Sequence, residues 1–109
     1  MDNAWDEMGP LMGISQHKEL IATVCRELGV ERLDVFGSAT RPGFGPNSDI
    51  DVVVRFDRGP GQMFRRYFDL KERLEQPFNR PVDIVLEDSI KNPYFREAIE
   101  RSRVNVYGS

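Results

Sequence analysis

Asp49 and Asp51 stand one residue apart at the head of an apolar run, Asp-Ile-Asp-Val-Val-Val-Arg-Phe, which reads as the clearest strand in the chain. Side chains two apart on a strand share a face, so these carboxylates project together while Ile50, Val52 and Val54 point the other way. Two ionised carboxylates side by side repel and contribute nothing to packing. A divalent cation resolves the repulsion, and hard oxygen ligands favour Mg²⁺ or Mn²⁺ over zinc. Asp83, between Val82 and Ile84, repeats the arrangement with one carboxylate. If the two strands are neighbours, three carboxylates converge. That is enough for two metal ions about 3.5–4 Å apart, the arrangement used in phosphoryl chemistry. The competing reading, in which each aspartate only decorates a solvent-facing strand position, suits Asp83 alone better than the pair.

Gly37-Ser38 supplies a second half to this constellation. A glycine directly after a strand lets backbone approach a ligand, and the amides that follow can form an anion-binding nest. Ser38 adds a hydroxyl donor, and Arg41 offers a guanidinium to a phosphate. Most Gly-Ser pairs are simple turns. This one gains meaning from lying ten residues upstream of Asp49-Ile50-Asp51, across a loop rich in Gly, Pro and Asn.

The elements that must position these residues follow from periodicity. Residues 1–13 read as an N-terminal arm and 14–109 as the domain. Ser15 is a predicted N-cap for a helix whose apolar stripe is Leu20, Ile21, Val24, Cys25 and Leu28, with Gly29 ending it. Cys25 falls in that stripe as a small core residue, and His17 on the first turn reads as a solvated surface residue. Leu33 to Val35 predicts a short strand, broken after Phe36. Met63, Tyr67, Leu70 and Leu74 predict a helix closed by Pro77, with Arg65, Arg66, Asp69 and Arg73 on its solvated face. An aromatic–basic nucleic-acid patch at Arg65 to Phe68 is the weaker alternative. Residues 81–86 predict another strand. Asn92-Pro93 predicts an N-cap and first helical position for a helix to about Arg101, and 104–107 a last strand. Tyr94, Phe95 and Tyr107 are expected in the core or an interface. The order gives one α/β (α+β) domain with a mixed sheet of about four strands flanked by helices.

Composition narrows the chemistry further. Fifteen basic and eighteen acidic side chains give a net charge of −3, against a general nucleic-acid binder. One cysteine and one histidine exclude an internal disulfide, a cysteine or histidine-rich zinc site and a Ser-His-Asp triad. No apolar run reaches the ~20 residues of a membrane span and the N-terminus lacks a basic signal head, so a cytoplasmic protein is expected.

Gly37-Ser38, ten intervening residues and Asp49-Ile50-Asp51 resemble the signature of the DNA polymerase β-like nucleotidyltransferase superfamily. Within it the chain resembles the minimal nucleotidyltransferase (MNT) family, from about Ser15 to Gly108. The likeness includes Arg41, Ser48 before the first aspartate, Val82 to Val85, and Lys91-Asn92-Pro93-Tyr94. One departure is Pro42, where the family often has Gly; it is expected to stiffen the loop around Arg41. The resemblance implies that Asp49, Asp51 and Asp83 hold Mg²⁺ (two ions, with Mn²⁺ a possible substitute). It makes Asp83 the candidate general base, and Gly37, Ser38, Arg41 and Ser48 the nucleotide-binding set. It also implies ATP as substrate and a HEPN-domain toxin as partner. The MNT member of such a pair is the antitoxin, and active examples move AMP from ATP onto a tyrosine of the HEPN ribonuclease. Polymerases and tRNA-modifying relatives carry extra domains to grip nucleic acid, for which this length is expected to leave no room, so no direct nucleic-acid or membrane partner is expected. Two rivals remain at this point: an antitoxin that neutralises by binding alone, and the catalytic subunit of a two-chain enzyme with another acceptor.

Overall fold

The first described helix, α1 (Lys18–Leu28), buries Ile21, Val24 and Cys25 and ends at Gly29. Gly29 takes φ 73° and donates its N–H to the Cys25 carbonyl, a left-handed helix cap. A computed structural model of the chain describes residues 17–37, 49–57 and 62–108. Ser15, the 1–13 arm, and Ser38, Arg41, Pro42 and Ser48 of the loop lie outside the described residues. Leu20 departs from the predicted stripe: it is 43% exposed, because the inward face of α1 is centred on its neighbour Ile21. His17 occupies the N-cap position and sets its ring edge-on to Phe78 at 5.0 Å instead of standing free in solvent. Cys25 is fully buried, and loss of water pushes its thiol up to about 12, as expected of an inert core residue.

From Gly29 the chain enters β1 (Val30–Phe36), longer than the predicted Leu33–Val35. Then come β2 (Ile50–Phe56), α2 (Met63–Phe78), β3 (Val82–Leu86), a 3₁₀ turn (Glu87–Ser89), α3 (Pro93–Ser102) and β4 (Val104–Gly108). The sheet order is β3-β2-β1-β4, with β2 and β3 parallel and the other pairs antiparallel. This is the predicted α+β domain with a four-stranded mixed sheet. Pro77 does not close α2; the helix runs through it to Phe78. A proline in the last turn forfeits one backbone bond. Phe78 is buried in the core, and Asn79, at φ 52°, caps the end by donating to the Glu75 carbonyl.

Both faces of the sheet are covered. On one, α1 and α2 bury Ile50, Val52, Val54, Leu33, Val35 and Val82. On the other, Ile99 of α3 packs on Phe36 and Val53, with Val85 and Ile90 at the margin. This explains the unbroken Val52-Val53-Val54 run: the central strand needs apolar side chains on both faces. Asp34 shares the α3 face and is fully buried. Its carboxylate accepts from Arg103 (2.6 Å), Arg32 and Asn105, and Arg103 also reaches Glu87 and Glu100. Among the described residues no helix is long and apolar enough to cross a membrane.

Candidate active site

The parallel register places Asp51 of β2 opposite Asp83 of β3, and the antiparallel register places Asp51 opposite Phe36 of β1. Three adjacent strands therefore carry Asp83, Asp51 and the Phe36-Gly37 step in one row. Asp49, just before β2, is exposed beside them. Gly37 takes φ 72°, a conformation that favours glycine. A Cβ built there would lie 2.8 Å from Oδ2 of Asp51, so the carboxylate packs where a side chain would stand. Gly37 is thus required twice, by its backbone angle and by close approach.

Gly37 donates its own N–H to Oγ of Ser102, at 3.1 Å. That amide is turned into the protein. The amides after Gly37, which the sequence reading assigns to an anion nest, belong to residues outside the described ones, as do Ser38, Arg41 and Ser48.

The carboxylates behave as one electrostatic patch. Partial burial, then the negative charges of Asp83 and Asp49, hold the Asp51 carboxyl above its ordinary range. A bound cation would relieve that repulsion, and all-oxygen donors suit a hard divalent ion. Among the described residues no three His, Cys, Asp or Glu side chains already stand close enough to hold a metal together. The donor chemistry fits such an ion, with side-chain adjustment required to close around it.

Two further contacts fix the row. Glu75 and Lys71 of α2 pair at 2.8 Å and cap the open edge of β3 at Val82. Glu75 accepts the Val82 N–H at 2.9 Å, and Lys71 donates to the Val82 carbonyl at 2.7 Å, one residue before Asp83. Asn92 accepts from the N–H groups of Tyr94 and Phe95, capping α3 as predicted.

The aromatic–basic alternative on α2 fares differently. Arg66, expected on a solvated face, is largely buried: it donates to the Leu28 and Gly29 carbonyls, pairs with Asp57 at 2.6 Å and lies over the Phe56 ring. It serves the α1–β1 corner. Met63, expected in the stripe, is exposed, while Leu70 and Leu74 are buried. Tyr94 is 82% exposed and Phe95 partly so, its ring edge-on to Phe36, whereas Tyr107 packs against the larger core.

Sequence reasoning missed Ser102, Asp34 and Arg103. Ser102 meets Gly37 across 65 residues and Arg103 meets Asp34 across 69, so no local pattern announces them. The one available signal was a carboxylate, Asp34, inside an apolar strand.

A sequence profile of the family described as nucleotidyltransferase domain matches residues 17–106. A protein of Methanocaldococcus jannaschii, provisionally named a protein adenylyltransferase, is 32% identical over 93 residues, covering 85% of this chain and 90% of the relative. A solved structure described provisionally as a minimal nucleotidyltransferase superposes with a TM-score of 0.69 at 31% identity, covering 82% of this chain and 88% of that one. A solved complex of the tri-AMPylated HEPN toxin of Shewanella oneidensis with its MNT antitoxin matches with a TM-score of 0.62 at 16% identity, covering 88% of this chain and 73% of that one, a likeness of fold.

Proposed function

Because this chain belongs to the nucleotidyltransferase domain family, we propose that it moves AMP from ATP onto a tyrosine of a HEPN-domain toxin, as the antitoxin of that pair. The alignment of Gly37, Asp51 and Asp83 across three strands carries this reading. The names of the relatives support protein as acceptor, and the AMPylated toxin bound to a protein of the same fold supports the partner class. The net charge of −3 and the internal engagement of Arg66 speak against nucleic acid as acceptor.

Nucleotidyltransferases of this fold generally use divalent metal ions; here Asp49, Asp51 and Asp83 would hold Mg²⁺, in two sites, with Mn²⁺ as a substitute. When bound, the metal neutralises charge on the attacking and leaving oxygens. Gly37, having no side chain, lets the Asp51 carboxylate pack against its own backbone; Ser38, Arg41 and Ser48 would hold the triphosphate. The tyrosine oxygen attacks the α-phosphorus, the bond to the β-phosphate oxygen breaks, and pyrophosphate leaves. Asp83 takes the hydroxyl proton, its strand held by the Lys71–Glu75 cap. The protein's contribution is alignment and electrostatics, with no covalent intermediate on the chain.

Intact-mass spectrometry of a co-purified HEPN partner, with Mg²⁺ and ATP, tests this. Wild type should add AMP to a tyrosine and Asp83→Asn should not. A partner inhibited equally by both, with no added mass, would refute catalysis and leave neutralisation by binding.

A further inference from the structure

We propose that Lys71 and Glu75 are a positioning pair for Asp83: together they hold, from the outer edge of β3, the stretch of backbone that carries it. This inference rests on the nucleotidyl-transfer reading above, which gives Asp83 its place in the metal site. β3 is the outer strand of the sheet, with β2 as its neighbour. On that inner side Pro81 accepts the Ile50 N–H at 3.0 Å. Val82, next along, turns its N–H and C=O outward, where an edge strand ordinarily leaves both groups to water. Here α2 meets them. Glu75 Oε2 accepts the Val82 N–H at 2.9 Å, and Lys71 Nζ donates to the Val82 carbonyl at 2.7 Å. The two side chains stand four residues apart on one helix face and bond each other at 2.8 Å. One acceptor and one donor thus do at Val82 what a further strand would do.

The grip reaches Asp83 through a single peptide. The carbonyl that Lys71 holds belongs to the Val82–Asp83 peptide, so Lys71 fixes the plane that ends at the Asp83 nitrogen. Val82 is fully buried in the larger core. Alternation then sends Asp83 to the other face, where it is exposed and lies opposite Asp51 in the register. The charges of that row oppose each other. A strand gripped on its inner edge alone can turn its carboxylate away from the repulsion, whereas one gripped on both edges keeps it in line. The pair acts as a fixed device. Lys71, and after it the Val82 N–H, hold the Glu75 carboxyl below its ordinary range; Glu75, and after it the charge of Asp83, hold the Lys71 ammonium above its own.

Field and position predict opposite outcomes when Lys71 is removed. Its ammonium lies within the field of Asp83. Deleting that positive charge should, by electrostatics alone, tighten the binding of a cation at the carboxylates. Releasing the Val82 carbonyl loosens Asp83 and should weaken it. One hydrogen bond of ordinary strength, used to hold a ligand in place, corresponds to roughly three- to tenfold in affinity.

The test uses the full chain as wild type, Lys71→Met and Lys71→Arg, with Mn²⁺ as the probe and the EPR signal of the free ion as the readout, well below the Tm of every variant. Mn²⁺ should bind roughly three- to tenfold more weakly to Lys71→Met, with recovery in Lys71→Arg, which keeps both donor and charge. Amide hydrogen exchange of the metal-free protein should show the Val82 N–H protected in wild type and exchanging at least ~10-fold faster in Glu75→Ala. Unchanged or tighter Mn²⁺ binding by Lys71→Met, even beside a lower Tm, would overturn the positioning role and reduce the pair to a staple between α2 and β3. An arginine variant no better than methionine, or an unprotected Val82 amide in wild type, would overturn it too. AMP transfer to the HEPN partner is measured separately. A wild type that binds Mn²⁺ yet transfers no AMP would refute the enzymatic reading and leave the pair standing, whereas one that binds no Mn²⁺ would overturn the metal site and the pair with it.

Discussion

Replacing Gly37 with alanine should damage this domain in two separable ways. The backbone there has φ 72°, where an L side chain costs about 1–2 kcal/mol relative to glycine. The new Cβ would also lie 2.8 Å from Oδ2 of Asp51, inside van der Waals contact. An aspartate side chain is short, so its carboxylate must rotate, and the space available is bounded by Asp83 and Asp49, whose charges already oppose it. Overpacking of this kind adds about 1–3 kcal/mol. The sum is roughly 2–5 kcal/mol, which at about 4–8 °C per kcal/mol for a domain near this size is a large fall in Tm.

The two parts can be measured apart by a double-mutant cycle with Asp51→Ala, followed by urea unfolding. In the Asp51→Ala background the clash is gone, and Gly37→Ala should cost only the backbone part, about 1–2 kcal/mol. The coupling between the two positions should be roughly 1 kcal/mol or more. Equal cost in both backgrounds would refute close packing of Asp51 on Gly37. A Gly37→Ala variant as stable as wild type would refute the left-handed conformation as well.

Two further perturbations separate function from stability. Asp51→Asn removes one of the opposed charges, so thermal unfolding of the metal-free protein should be unchanged or shifted upward while transfer is lost; a large fall in Tm would make Asp51 structural. Arg103→Met strips the buried Asp34 of its nearest partner and should cost about 3–5 kcal/mol by urea unfolding. Burial alone would raise the Asp34 carboxyl, but hydrogen bonds from Arg32, Asn105 and Arg103 hold it below its ordinary range. The stability it contributes is therefore full above the unfolded value of about 3.9 and lost as pH falls through the lower folded value. That acid loss should shrink in Arg103→Met, and an identical pH profile would refute the network's role.

What the sequence revealed and what it hid divide along one physical line. Period-two alternation around Asp49, Asp51 and Asp83 was readable because a strand's faces are set by adjacent residues, and the register then aligned Asp51 with Asp83. Gly29, Asn92 and Pro93 were readable because caps act within a turn. The failures lie where a contact crosses the fold. Arg66 looks solvated by spacing, yet the corner between α1 and β1 supplies carbonyls that only tertiary structure brings to it. Pro77 looks terminal because it lacks an N–H, yet burial of Phe78 extends the helix past it. Asp34 sits on the face of β1 that, two positions later, carries Phe36, and nothing nearby in sequence identifies Arg103 as the group that neutralises it.

The same line explains how the domain tolerates its own row of carboxylates. Asp51 and Asp83 are set side by side by strand pairing, and their repulsion works against the very register that aligns them. Each arm of the row is held by side chains outside the strand ladder: Glu75 and Lys71 grip Val82 beside Asp83, Ser102 grips Gly37, and Arg103 grips Asp34 two residues before Phe36. All four holding groups come from helices or helix ends, and none is part of the motif that identifies the family. The carboxylates are thereby free to be chosen for chemistry alone. The opposite pattern, in which the aspartates also stabilised the fold, would trap them in hydrogen bonds and leave few lone pairs for a metal. Asp34 shows that outcome on the same sheet face: its carboxylate is saturated by Arg32, Arg103 and Asn105, and it is structural.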